Sequence, residues 1–203
     1  LDRVGLSKVN DFKPMGDKDE YCCHDIFPDN EFDKNKILYY ADSIKQAVIA
    51  VDMEAARIVG RYESWSPYGY FDIYVDDKFV YARDAYFGAP NNKVYKWHKN
   101  SDRIATKYYP HDRSYIKNFL VGKKFLVVIT KHKLGIYDKM DPGEPSRKSA
   151  KNELELSANG CCVGDYVIIA SGRKILYWNV KDSNSQKPKS RQVHETNITE
   201  VKA

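Results

Sequence analysis

Lys124-Phe125-Leu126-Val127-Val128, then Thr130-Lys131-His132, then Lys133-Leu134-Gly135-Ile136-Tyr137-Asp138: this stretch reads as two β-strands joined by a short polar turn. The runs have strand length, their apolar residues are aliphatic or aromatic, and polar residues separate them. One such hairpin decides little. The same design recurs at Lys36-Ile37-Leu38-Tyr39-Tyr40 with Ala47-Val48-Ile49-Ala50-Val51-Asp52. It recurs again at Lys78-Phe79-Val80-Tyr81-Ala82 with Lys93-Val94-Tyr95-Lys96-Trp97, and at Asp165-Tyr166-Val167-Ile168-Ile169 with Lys174-Ile175-Leu176-Tyr177-Trp178-Asn179. The starting residues Lys36, Lys78, Lys124 and Asp165 are about 41 to 46 positions apart, the period of four-stranded repeat units.

Each hairpin is extended on the N-terminal side by a further strand, at Glu20-Tyr21-Cys22-Cys23, Tyr70 to Val75, Tyr115 to Leu120 and Gly160 to Val163. Others follow at Ala56 to Tyr62, at Asp102 to Tyr108 and around Gln192 to Val201. The pattern predicts an all-β fold, a β-propeller of four-stranded antiparallel blades, about four in this chain, at 20–66, 67–110, 111–156 and 157–203. Residues 1–19 read as an irregular segment or an outer strand. Asp42 to Gln46 and Met53 to Arg57 have helical character but are too short to stand as helices. Met140 to Ser146 and Asp182 to Ser190 read as loops.

The third unit runs from His111 through Ser114, Phe119 and Gly122-Lys123-Lys124 to Tyr137-Asp138, and it resembles a WD40 repeat. That family places a His before the first strand, a tight turn, and an aromatic-Asp dipeptide at the end of the third strand. Trp97-His98, Tyr137-Asp138 and Trp178-Asn179 resemble the dipeptide, while Val51-Asp52 keeps only the acid, and Pro110 stands where the family has Gly. Seven blades are common in such propellers. The resemblance therefore implies open sheet edges that need cover, and further blades in another chain, in a removed part of this one, or replaced by a partner.

Composition agrees with a folded chain. Aromatic residues make up 13%, with 16 Tyr, and the hydrophobic share is 42%, which argues against disorder. Net charge is +5, but it is uneven: His111 to Ala203 carries an excess of about seven positive charges. That half fits an acidic or phosphorylated partner, or an ordinary solvated basic surface. Cys22-Cys23 and Cys161-Cys162 are adjacent pairs, which do not fit zinc-ligand spacing, so reduced packing cysteines and a cytoplasmic or nuclear protein are expected. No apolar run reaches the roughly 20 residues of a membrane span. The opening residues lack the pattern of a signal peptide, and a start at Leu1 suggests an excised or processed segment.

No catalytic motif stands out, and neither a cofactor nor a metal is expected. His24 beside Cys22-Cys23 lacks further ligands at sensible spacing, and Asp76-Asp77, near Asp72, reads as a solvated turn. The expected function is a non-enzymatic protein–protein interaction scaffold, a subunit of a larger complex. Its partner-binding residues would lie on the loops between second and third strands and between blades: Trp65, Tyr68, Arg83, Tyr86, Tyr109, Arg113, Lys131, His132, Arg173 and Lys174, with His111 beside them. Aromatic and Arg side chains of this kind dominate binding hot spots. Trp65 has a second reading, packing between blades. Arg83, Lys131 and Arg173 recur at comparable places and would form a basic rim. Two alternatives are a nucleic-acid-binding propeller using the basic half and a propeller-based enzyme with its site on the axis.

Overall fold

Apolar runs with no polar alternation mean that both faces of a strand are covered. Ala47-Val48-Ile49-Ala50-Val51 and Phe125-Leu126-Val127-Val128-Ile129 are such runs, and every residue in them is buried. The computed structural model describes residues 36–42, 46–63, 69–84, 92–101, 104–110, 114–140, 147–148, 156, 159–182 and 188–192. Among these residues the regular structure is all β.

The strands form four successive antiparallel meanders. The first sheet contains β1 (Ile37–Asp42), β2 (Ala47–Asp52) and β3 (Arg57–Glu63). The second contains β4 (Tyr70–Val75), β5 (Phe79–Asp84), β6 (Val94–His98) and β7 (Ile104–Tyr108). The third contains β8 (Asn118–Val121), β9 (Phe125–Ile129), β10 (Leu134–Asp138) and β11 (Arg147–Lys148). The fourth contains β12 (Gly160–Val163), β13 (Tyr166–Ser171), β14 (Lys174–Asn179) and β15 (Lys189–Gln192). The strand expected at Glu20 to Cys23 lies outside the described residues.

Several boundaries differ from the sequence reading. β8 begins at Asn118, not Tyr115, because Ile116 bonds through its N–H to Asn92 Oδ1 and through its carbonyl to Arg83 instead of entering the ladder. β15 begins at Lys189, where Tyr177 pairs with it, so the end of the expected loop at Asp182 to Ser190 is strand. Met53 to Ala56 is a turn, closed by Asp52 Oδ1 accepting from the N–H groups of Glu54 and Ala55.

The sheets stack face to face. Tyr39, Val48, Ala50 and Tyr62 of the first close on Tyr70, Val80, Tyr95 and Trp97 of the second. Tyr81, Val94 and Tyr108 close on Phe119, Leu126, Val128 and Tyr137 of the third. Val127, Ile129, Leu134 and Ile136 close on Val167, Ile169, Leu176 and Trp178 of the fourth. Each large side chain buried in this way stabilises the fold by about 1.5–3 kcal/mol. The first strands also meet, β4 beside β8 and β8 beside β12. A Cβ added at Gly160 would lie 2.6 Å from the Ile168 carbonyl oxygen of the neighbouring β13 and 3.2 Å from Leu120 Cδ1 of β8. Cys161 and Cys162 follow on this strand as partly buried free thiols. Burial, then the neighbouring Cys161, pushes the Cys162 thiol up to about 12.

The residue closing the last-but-one strand of each sheet has one repeated job. Asp52, His98, Asp138 and Asn179 each accept, through their side chains, the backbone N–H two residues on. The intervening N–H reaches back to the residue before the preceding strand, as Met53 to Lys36, Lys99 to Lys78, Lys139 to Lys124 and Val180 to Asp165. Four four-residue corners are thereby held in one geometry. Four-stranded antiparallel sheets joined in this way are consistent with propeller blades.

Candidate interaction surface

In an up-and-down meander the connection between the second and third strands lies at the same end as the connection to the next sheet. That end holds Asn92 and Lys93 before β6, Tyr109-Pro110 and Ser114 to Lys117 before β8, Thr130 to Lys133 between β9 and β10, and Gly172-Arg173 between β13 and β14. Hydrogen bonds stitch these connections into a floor. Asp84 N–H donates to the Lys93 carbonyl (2.8 Å), and Asn92 Nδ2 donates to the Asp84 carbonyl (3.0 Å). Leu156 N–H donates to the Lys131 carbonyl (2.8 Å), and Lys117 Nζ to the Leu156 carbonyl (3.2 Å).

The sequence-predicted residues separate into three groups. Lys131, Arg173, Lys174 and Tyr109 are exposed, Tyr109 by 50%, and His132 is half-buried beside Lys131. Lys93 lies 5.6 Å from the Tyr109 ring. Burial pushes its ammonium below its ordinary value, against the pull of Asp84. Trp65, Tyr68, Tyr86, His111 and Arg113 lie outside the described residues. Arg83 needs correcting: it is only 7% exposed and is not part of a rim. Its guanidinium donates to Asp72 Oδ2 from Nε (2.6 Å), to the Ile116 carbonyl (2.9 Å) and to Tyr115 Oη, and it lies over the Tyr115 ring. A guanidinium stripped of water needs such partners. Asp72 meets it from a bulge in β4 with a left-handed φ of 47°. That backbone is unusual for a non-glycine residue.

The contrast between the two ends goes beyond the basic rim expected from the sequence. Across the second to fourth sheets, the described residues of the loop end include Lys93, Lys117, Lys131, Lys133, Arg173 and Lys174. The acids there are Asp72, which is ion-paired with Arg83, and Asp84, which is buried. The opposite end mixes signs, with ion pairs Lys36–Glu54, Lys139–Asp76 and Lys181–Asp165. Asp76, expected as a solvated turn, is in fact part-buried and accepts from Lys139 Nζ at 2.7 Å and Tyr81 Oη at 3.1 Å.

Comparisons with known proteins show the fold. No family model matches the chain, and no curated protein matches it in sequence. Among solved structures it is similar to a chain in a crystal structure titled as the mitotic checkpoint complex, with a TM-score of 0.60 and 12% identity. The match covers 80% of this chain and 48% of that one, so this chain spans about half its length. The likeness is consistent with a β-propeller fold. No described helix is long and apolar enough to cross a membrane.

Proposed function

We propose that the chain is a run of four WD40-like blades from a larger propeller, serving as a non-enzymatic scaffold in a multi-protein assembly. Its loop end would hold an acidic or phosphorylated segment of a protein partner. The observation that carries this is the one-signed loop end, where exposed Lys131, Arg173 and Lys174 stand beside exposed Tyr109 while the local acids are paired or buried. Such a surface steers anionic partners and orients them. Likeness of fold to a chain from an assembly supports the role of a complex subunit. Trp65, Tyr68, Tyr86 and Arg113 are proposed to extend the same surface, and further blades could come from another chain.

The test is fluorescence anisotropy with a glutamate-rich phosphoserine peptide and with a single-stranded RNA of equal length. The chain is expected to bind the peptide, and Lys131→Glu, Arg173→Glu and Lys174→Glu together should weaken it at least tenfold while leaving stability within about 0.5 kcal/mol. Preference for the RNA, with affinity falling steeply as salt rises, would replace this reading with the nucleic-acid one.

A further inference from the structure

The fourth sheet packs one face against the third and leaves its other face outside every core cluster among the described residues. Val167, Ile169, Leu176 and Trp178 belong to the covered face. By strand alternation, Tyr166, Ile168, Ile175 and Tyr177 share the other. Tyr166 is 44% exposed and Val163 46%, Ile168, Ile175 and Tyr177 are half-buried, and Ala170 on the same face is buried.

Register gives this face two precedents within the chain. Tyr166 pairs with Asn179 and Ile168 with Tyr177, as Phe79 pairs with His98 and Tyr81 with Lys96, and as Phe125 pairs with Asp138 and Val127 with Ile136. In both precedents the following sheet covers the face and the corner after its third strand reaches in, with Val180 at the third sheet and a lysine at the second, as also at the first. At the second sheet, Lys139 places its ammonium 5.5 Å from the Tyr81 ring and on Asp76, while Tyr108 Oη donates to its carbonyl (3.1 Å). At the first, Lys99 lies 5.6 Å from the Tyr39 ring, and Tyr62 Oη donates to its carbonyl (2.8 Å). On the fourth sheet, a cleft of about 270 Å³ opens at that end, lined by Tyr166, Tyr177, Asn179, Asp182 and Lys189.

We propose that this cleft and the face above it dock the corner of another protein sheet, in which an aromatic residue is followed by a polar residue and a lysine. Tyr137-Asp138-Lys139 and Trp97-His98-Lys99 are the chain's own examples of that corner. Tyr166 and Tyr177 flank the incoming lysine stem, the Asp182 carboxylate takes its ammonium, and Lys189 takes an acid at the middle position. A second copy docking head to tail does not fit, because the far face of the first sheet is already buried at Ala47, Ile49 and Val51. This inference rests on the propeller reading but uses a surface other than the loop end, so the two fail separately.

A synthetic peptide copying residues 133–140 is titrated into the tyrosine-labelled chain and followed by NMR. Saturable shifts at Tyr166 and Tyr177 are expected. Affinity should fall at least tenfold for the Lys139→Glu peptide and recover when that peptide meets the Asp182→Lys chain. Tyr166→Ser should also weaken binding, with an unchanged circular dichroism spectrum. No saturable shift, or equal binding of the Lys139→Glu peptide, overturns the proposal. A concentration-dependent dimer dissolved by Tyr166→Ser would overturn it too, by giving the face to a second copy. Binding of the acidic phosphopeptide, measured on the same samples, reports on the loop end alone.

Discussion

The joint between the second and third sheets and the joint between the third and fourth use the same positions with opposite chemistry. The first has Asp76, Tyr81 and Lys96 on one side and Lys139 on the other. By register, the second has Gly122, Val127 and Ile136 facing Val180. The polar joint sets two lysines against the part-buried Asp76 carboxylate, with the exposed Asp138 nearby. Lys139 is anchored by Asp76 and the Gly122 carbonyl, and Lys96 donates to the Lys139 carbonyl and lies 4.5 Å from the Phe79 ring. Burial, then the Lys139 charge, pushes Lys96 below its ordinary value, with Asp76 and Asp138 pulling the other way. The apolar joint depends on shape and the polar one on keeping each partner, so they should break differently.

The largest effect is expected at the apolar joint. Trp178→Ala removes a large buried side chain and should cost about 4 kcal/mol, read as a lower urea midpoint at unchanged slope. At the polar joint, Asp76→Asn keeps the side-chain oxygen that caps the N–H groups of Lys78 and Phe79 but removes the counter-charge. It should cost about 3 kcal/mol, since a buried partner is left uncompensated. Adding Lys139→Met should bring stability back to within about 1 kcal/mol of the parent, because an apolar pair can replace a buried ion pair at little cost. Failure of that rescue would show that the joint needs the lysine for more than charge balance.

The smallest effect is the pH dependence. Burial opposes ionisation of Asp76, but the Lys139 hydrogen bond, the Lys78 and Phe79 N–H groups and the Lys139 charge together hold its carboxyl below the ordinary value. A depressed carboxylate contributes stability above its unfolded value, near pH 4, and loses it as pH falls through the lower folded one. Urea titrations across pH 2 to 5 should therefore show a stability loss that Asp76→Asn lacks and Trp178→Ala retains.

The strands were largely legible. β2, β4, β12 and β14 have the bounds that hydrophobic runs and turn residues indicate, because strand formation here is written in neighbouring positions. The corners were legible only as a large residue followed by a polar one; that Asp52, His98, Asp138 and Asn179 each cap the turn that follows them came from the structure. The site was less so. Lys131 and Arg173 are exposed on the loops where they were expected, and Lys174 is exposed at the first position of β14, but Arg83 was misplaced, because its burial depends on Asp72 and on Ile116 in the next sheet.

By itself, then, the sequence determined the strand pattern and its period, because each strand is written in residues a few positions apart. Only the tertiary structure decided which charges are exposed. Lys139 meets Asp76 from 63 positions away, and Lys96 reaches the Lys139 carbonyl from 43. The cost or gain of burying an ammonium depends on the partner it finds after folding, and no local pattern names that partner.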